Sequence, residues 1–167
     1  MRLPRSQNLS KSKSMKQRIF VFLIALFAGG SLVAQGTQLL RQPTISSESI
    51  VFVYANDLWK VSRDGGDALR LTSNEGGETL PHFSPDGQFV AFTAQYDGNT
   101  DVYVMPAEGG SPKRLTYHPG GDYVQGWTPD GQIIFRSSRY AHPTITNKLF
   151  AIDAGGGFPV PLDAPRA

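Results

Sequence analysis

Three histidines, one serine in a sharp turn and one acidic tract are the residues of this 167-residue chain whose types could do chemistry. His82, His118 and His142 share no metal-ligand spacing, such as the i, i+4 pair of a zinc-protease helix. His82 and His118 each stand beside proline, in what reads as a loop leading toward a strand. Ser84 belongs to "FSPDGQ", where its hydroxyl is placed to bond nearby backbone; a nucleophile would need an organised base and oxyanion donors. In "YDGNTD", Asp97, Asn99 and Asp101 alternate as in the first half of a calcium loop. The later bidentate Glu is missing, so the tract reads as a hairpin connection. The glycine-rich "RDGGDALR" and "DAGGGFPV" lack both the Gly-Lys-Ser/Thr of a P-loop and the spaced glycines of a dinucleotide site, and read as turns. With no cysteine, thiol chemistry, thiolate metal sites and disulfides are excluded. No catalytic, cofactor-binding or metal-ligating residue is therefore assigned within the chain.

The charge distribution removes another class of function. Six of the sixteen basic residues lie before residue 19 and all fourteen acidic residues follow residue 47, so the body from Gln35 onward carries a formal charge of about −4. A DNA-binding surface needs clustered Lys and Arg, and the body has no such cluster, so no nucleic-acid partner is expected. The basic start explains itself in "MKQRIFVFLIALFAGGSLVAQG", residues 15–36. Positive charge precedes an apolar core and then small residues, the layout of a helical secretory signal peptide, with cleavage expected near Ala34. The apolar stretch is short of the roughly twenty residues a lasting span requires, so no lasting membrane span is expected after cleavage. An uncleaved anchor is the alternative, because Leu32 is an unusual residue three positions before the cut. Residues 1–14 add nothing to such a signal, which leaves both Met1 and Met15 as possible starts. The expected location is periplasmic or secreted.

Around these residues the chain repeats itself. "FSPDGQFVAF" and "WTPDGQIIF" place their prolines 44 positions apart, and glycine pairs begin at Gly65, Gly109 and Gly155. In each turn Pro presets φ, Asp suits the next position and Gly accepts the left-handed conformation. Three passes of β-rich run, polar connection, second apolar run, Gly-Gly turn and closing Leu fill residues 35–167. A period in the forties made of short strands is the mark of a propeller blade. The near-continuous apolar runs "IVFVYA", "FVAF", "DVYVM" and "KLFAI" suit sheets covered on both faces, better than a two-sheet sandwich with a wet face. The expected fold is all-β, a partial β-propeller of about three four-stranded blades, spanning about 43–83, 84–127 and 128–162. Trp59, Tyr103 and Phe150 occupy matching positions and are expected to pack between blades, and Trp127 takes the place of Phe83. The first pass is atypical, with Ser46–Ser49 in place of Pro-Asp-Gly.

Propellers close with roughly four to eight blades, so three leave two open apolar faces. About six wet apolar side chains on such a face forgo roughly 9 to 18 kcal/mol, comparable to the net stability of a whole domain. Further blades, or copies of the chain, are therefore expected as partners.

The tract "LTSNEGGETLPHFSPDGQFVAFTAQYDGNTDVYVMPAEGGSPKRLT" resembles the blade motif of TolB-like propellers. A narrower resemblance, over residues 39–162, is to the N-terminal propeller of tricorn-type proteases, carried by "LLRQPTISSESIVFVYANDLWKVSRDGG", "YDGNTDVYVMPAEGG", "RLTYHPGGDYVQGWTPDG" and "FRSSR". One departure is the secretory layout, since the archaeal type member of that family is cytosolic. The resemblance implies a large serine peptidase whose propellers admit or release peptides, with a PDZ-like module and the catalytic Ser and His in downstream domains. Two other parents are compatible: a TolB-like binding or scaffold propeller, and a prolyl-oligopeptidase-type hydrolase capped by a propeller.

Overall fold

The computed structural model describes residues 39–140 and 147–163. The expected signal peptide and His142 lie outside them. Twelve strands form three four-stranded antiparallel sheets in sequence order. The first contains β1 (Arg41–Ile45), β2 (Ser49–Tyr54), β3 (Asp57–Ser62) and β4 (Leu69–Arg70). The second contains β5 (Glu78–Phe83), β6 (Phe89–Ala94), β7 (Asp101–Pro106) and β8 (Lys113–Arg114). The third contains β9 (Asp122–Trp127), β10 (Gln132–Ser137), β11 (Lys148–Asp153) and β12 (Val160–Pro161). The first strands adjoin in succession, β1 with β5 and β5 with β9, which places them at the inner side of a propeller segment whose sheets are its blades. No helix of the described residues is long and apolar enough to cross a membrane.

The repeat has the expected content but a different phase. β5 pairs with β6, and β9 with β10. The blade limits expected at 83/84 and 127/128 therefore move to the segments before Glu78 and Asp122. The reason is that the Pro-Asp-Gly turn lies inside a blade, joining its first two strands. There Ser84 N donates to Phe89 O and Gly87 N to Ser84 O, with Gly87 at φ 72°. In the third blade Gly131 N likewise donates to Thr128 O, while Thr128 N closes one residue earlier, on Gln132 O, and Ser46 N to Ser49 O closes the shorter first-blade turn. The third glycine pair is likewise displaced by one residue. Gly156, not Gly155, bonds back to the strand end as Gly65 and Gly109 do.

Packing follows the alternation of the strands. Val51, Val53 and Leu58 of the first sheet meet Val90, Phe92, Tyr103 and Met105 of the second. From the other face of the second sheet, Ala91, Val102 and Val104 meet Val124, Ile133, Phe135 and Phe150 of the third. The middle blade is thus covered twice, which is why β6 and β7 read as unbroken apolar runs. The register aligns Trp59, Tyr103 and Phe150 through their partners Phe52, Phe92 and Phe135. Tyr103 and Phe150 are buried in seams, whereas Trp59 is only half-buried on the uncovered face of the first sheet.

Candidate functional site

The sequence candidates do not converge. Ser84 is buried in its turn, where Oγ donates to Asp86 Oδ1 at 2.5 Å and accepts from Phe89 N at 2.9 Å. That hydroxyl also depresses the Asp86 pKa, as does the Gln88 backbone N–H. The hydroxyl acts as a turn latch. His82 is not a loop residue as its Pro neighbour suggested. It lies in β5, half-buried, and desolvation lowers its pKa. His118 remains in the loop before β9, with Nδ1 accepting from Gly120 N at 2.9 Å. The acidic tract grips a guanidinium: Arg114 reaches Asp101 at 2.6 Å and Asp97 at 3.1 Å. Among the described residues no group of three or more His, Asp or Glu is arranged to hold a metal ion.

What sequence reasoning missed is a buried polar device at one end of each seam. Thr72 and Thr116 each accept a backbone N–H of their own blade, from Leu58 at 2.8 Å and Val102 at 3.0 Å. Six residues after each Thr comes the fully buried acid that starts the next blade, Glu78 or Asp122. Backbone bonds seat these acids across the seam, Glu78 N on Asn56 O and Asp122 N on Thr100 O. Arg70 pairs with Asp57 and Arg114 with Asp101 beside them. Glu78 accepts from Thr72 at 3.1 Å and from the Tyr96 hydroxyl at 2.6 Å. Asp122 is held by Arg139 at 2.6 Å, which occupies the place of Tyr96, two residues past the strand end. The signal was present as Arg-Leu-Thr followed by Gly-Gly-Glu or Gly-Gly-Asp. The glycines belong to it, because at Gly76 (φ 116°) a Cβ would collide with the Gln95 carbonyl.

Burial raises the pKa of Glu78 against the lowering influence of its two hydroxyl donors, and burial likewise raises Asp101 against Arg114. A raised folded-state carboxyl binds its proton more tightly than in the unfolded chain. Stability is therefore greatest below the unfolded value and falls as pH rises through the folded one. Chemical unfolding from pH 4 to pH 7 should show this decline starting near the ordinary Glu value of 4.5. Glu78→Gln should flatten it, leaving the part due to Asp101; an unchanged slope would contradict the assignment.

Two further regions stand out among the described residues. The opposite end of each seam opens as a crevice. One of about 340 Å³ is lined by Ser46, Glu48, Lys60, Asp86 and Glu108. One of about 320 Å³ is lined by Ser84, Phe89, Trp127 and Asp130. The inner strands form the second region. Their seams are stitched by Leu80 N on Gln42 Oε1, Phe83 N on Thr44 Oγ1, and Trp127 Nε1 on His82 O. Among the described residues no hydrogen bond joins Ser84 to His82 or His118.

Comparison with known proteins agrees with this geometry. The family described as "Tricorn protease N-terminal beta propeller domain" matches residues 37–167. "Tricorn protease homolog 1" of Streptomyces coelicolor is 41% identical over 67 residues, which is 40% of this chain and 6% of that protein. The matched stretch thus spans less than a tenth of that relative's length. The crystal structure of the tricorn protease superposes with a TM-score of 0.66 at 30% identity, over 74% of this chain and 13% of that one. TolB from Acinetobacter baumannii superposes with a TM-score of 0.63 at 27% identity, over 74% of this chain and 32% of that one.

Proposed function

The chain belongs to the family of tricorn protease N-terminal beta-propeller domains, and from that premise we propose that it is the leading propeller segment of an exported serine peptidase. Its role is to wall a passage that selects unfolded peptides, while the cleavage chemistry resides in other domains of the larger protein. The observation that carries this reading is the pair of apolar faces that the described residues leave uncovered. Ile45, Ile50, Trp59 and Val61 line one; Ile134, Leu149 and Val160 line the other. Ile45 and Val160 are each 59% exposed. Such faces belong in seams, so the segment works as part of a larger ring. The secretory layout of residues 15–36 supports export.

The test is peptide cleavage by the longer polypeptide, with and without residues 39–163. The 167-residue chain alone should show no turnover of casein or fluorogenic peptides. The longer polypeptide should cleave both, and removing the segment should change long-peptide cleavage far more than tripeptide cleavage. A longer polypeptide without peptidase activity would overturn the reading and favour a TolB-like binding propeller, which the 27% identity to TolB supports as the second reading.

A further inference from the structure

The inner strands share an irregularity that their repeat does not require. Each is terminal in its sheet, paired on one side only, and such a strand normally offers a row of free donors and acceptors to any extended peptide. Yet each is broken at the same place. In β1 the register slips between Arg41 and Thr44, with Gln42 at φ 50° followed by Pro43. In β5 it slips between Thr79 and His82, with Leu80 at φ 52° followed by Pro81. A left-handed conformation at non-glycine residues is strained, and it recurs at equivalent positions of two blades. In β9 the slip falls opposite Ile134 and Phe135, and there is no proline.

Different residues reach the same result. Proline has no N–H to offer in β1 and β5. The Leu80 N–H is already taken by Gln42 Oε1 at 2.9 Å, and the Phe83 N–H by Thr44. In β9 the acceptors are taken instead, because Gln125 Nε2 donates to Tyr123 O at 3.2 Å and Val124 O at 2.8 Å. Gly126, with φ 152°, follows the bulged residue. Bulge, proline and side-chain capping are the means by which exposed strand edges avoid adding another strand.

From this we infer that the inner wall refuses main-chain pairing. A peptide moving along it is contacted through its side chains and is not annealed as an extra strand. The peptides it suits therefore include proline-containing segments, whose missing N–H groups would disqualify them from strand addition. The inference rests on the passage reading above and adds the way in which the passage treats its peptide.

The test uses the full 167-residue chain and two fluorescein-labelled peptides of one extended, Val- and Thr-rich sequence, one plain and one N-methylated at alternate residues. Fluorescence anisotropy should give affinities within about twofold of each other. Strand addition would make the methylated twin weaker by about tenfold or more, since two or three main-chain hydrogen bonds at roughly 1 kcal/mol each would be lost. That difference would overturn the inference. Retention of neither peptide agrees with the refusal and counts instead against the passage reading.

Discussion

Replacing Arg139 with methionine is expected to destabilise the chain by about 3–5 kcal/mol, the cost of leaving a buried carboxylate without its partner. Asp122 is fully buried, and its Oδ2 is held by Arg139 at 2.6 Å. Among the described residues its Oδ1 has no hydrogen-bond partner, so none of them supplies a second donor. Methionine keeps most of the length and apolar body that Arg139 lays over the Phe135 and Phe150 rings, at 5.1 and 4.9 Å from their centroids. The loss should therefore report charge more than packing. Adding Asp122→Asn to the methionine variant should recover at least half of it, because an amide carries no charge to strand. Urea unfolding of the two single variants and the double variant measures the coupling. A cost below about 1 kcal/mol for Arg139→Met would mean that the carboxylate is hydrated in solution.

The repeat made the fold legible, and the same repeat concealed how the blades are locked. Turn chemistry is local, so Pro85-Asp86-Gly87 and Gly65-Gly66 could be read directly, and the apolar runs gave the central strands. Phase was harder, because a repeat can be cut at any point of its period. Only the pairing of β5 with β6 shows that the Pro-Asp-Gly turn is internal to a blade. The buried acids were passed over for a physical reason. Glu78 and Asp122 stand beside Gly-Gly pairs in polar tracts, where a carboxylate ordinarily faces water. Their burial depends on Thr72, Tyr96 and Arg139, which only the folded seam brings together. The inner-strand bulges were equally silent, since Gln42-Pro43 and Leu80-Pro81 do not look alike to a motif search and β9 reaches the same end without proline.

Trp59 and Phe150 hold the same place in their blades, and truncating them should nevertheless have very different consequences. Phe150 is fully buried and stacks on Phe135 with centroids 5.7 Å apart. Phe150→Ala should cost about 3–5 kcal/mol, through lost burial and the cavity left behind. Trp59 packs edge-on against Tyr54 at 5.9 Å and donates its indole N–H to Tyr54 O at 3.2 Å. Among the described residues its outer side meets no other blade, so Trp59→Ala in the 167-residue chain should cost about 1 kcal/mol. In the longer polypeptide the two values should converge, because a neighbouring blade would turn the Trp59 face into a seam like the one around Phe150. Urea midpoints of both variants in both lengths give the four numbers needed. Equal losses in the 167-residue chain would mean that the first sheet is already covered, by a second copy or by another part of the same chain. The larger ring would then lose the physical requirement that these two apolar faces place on it.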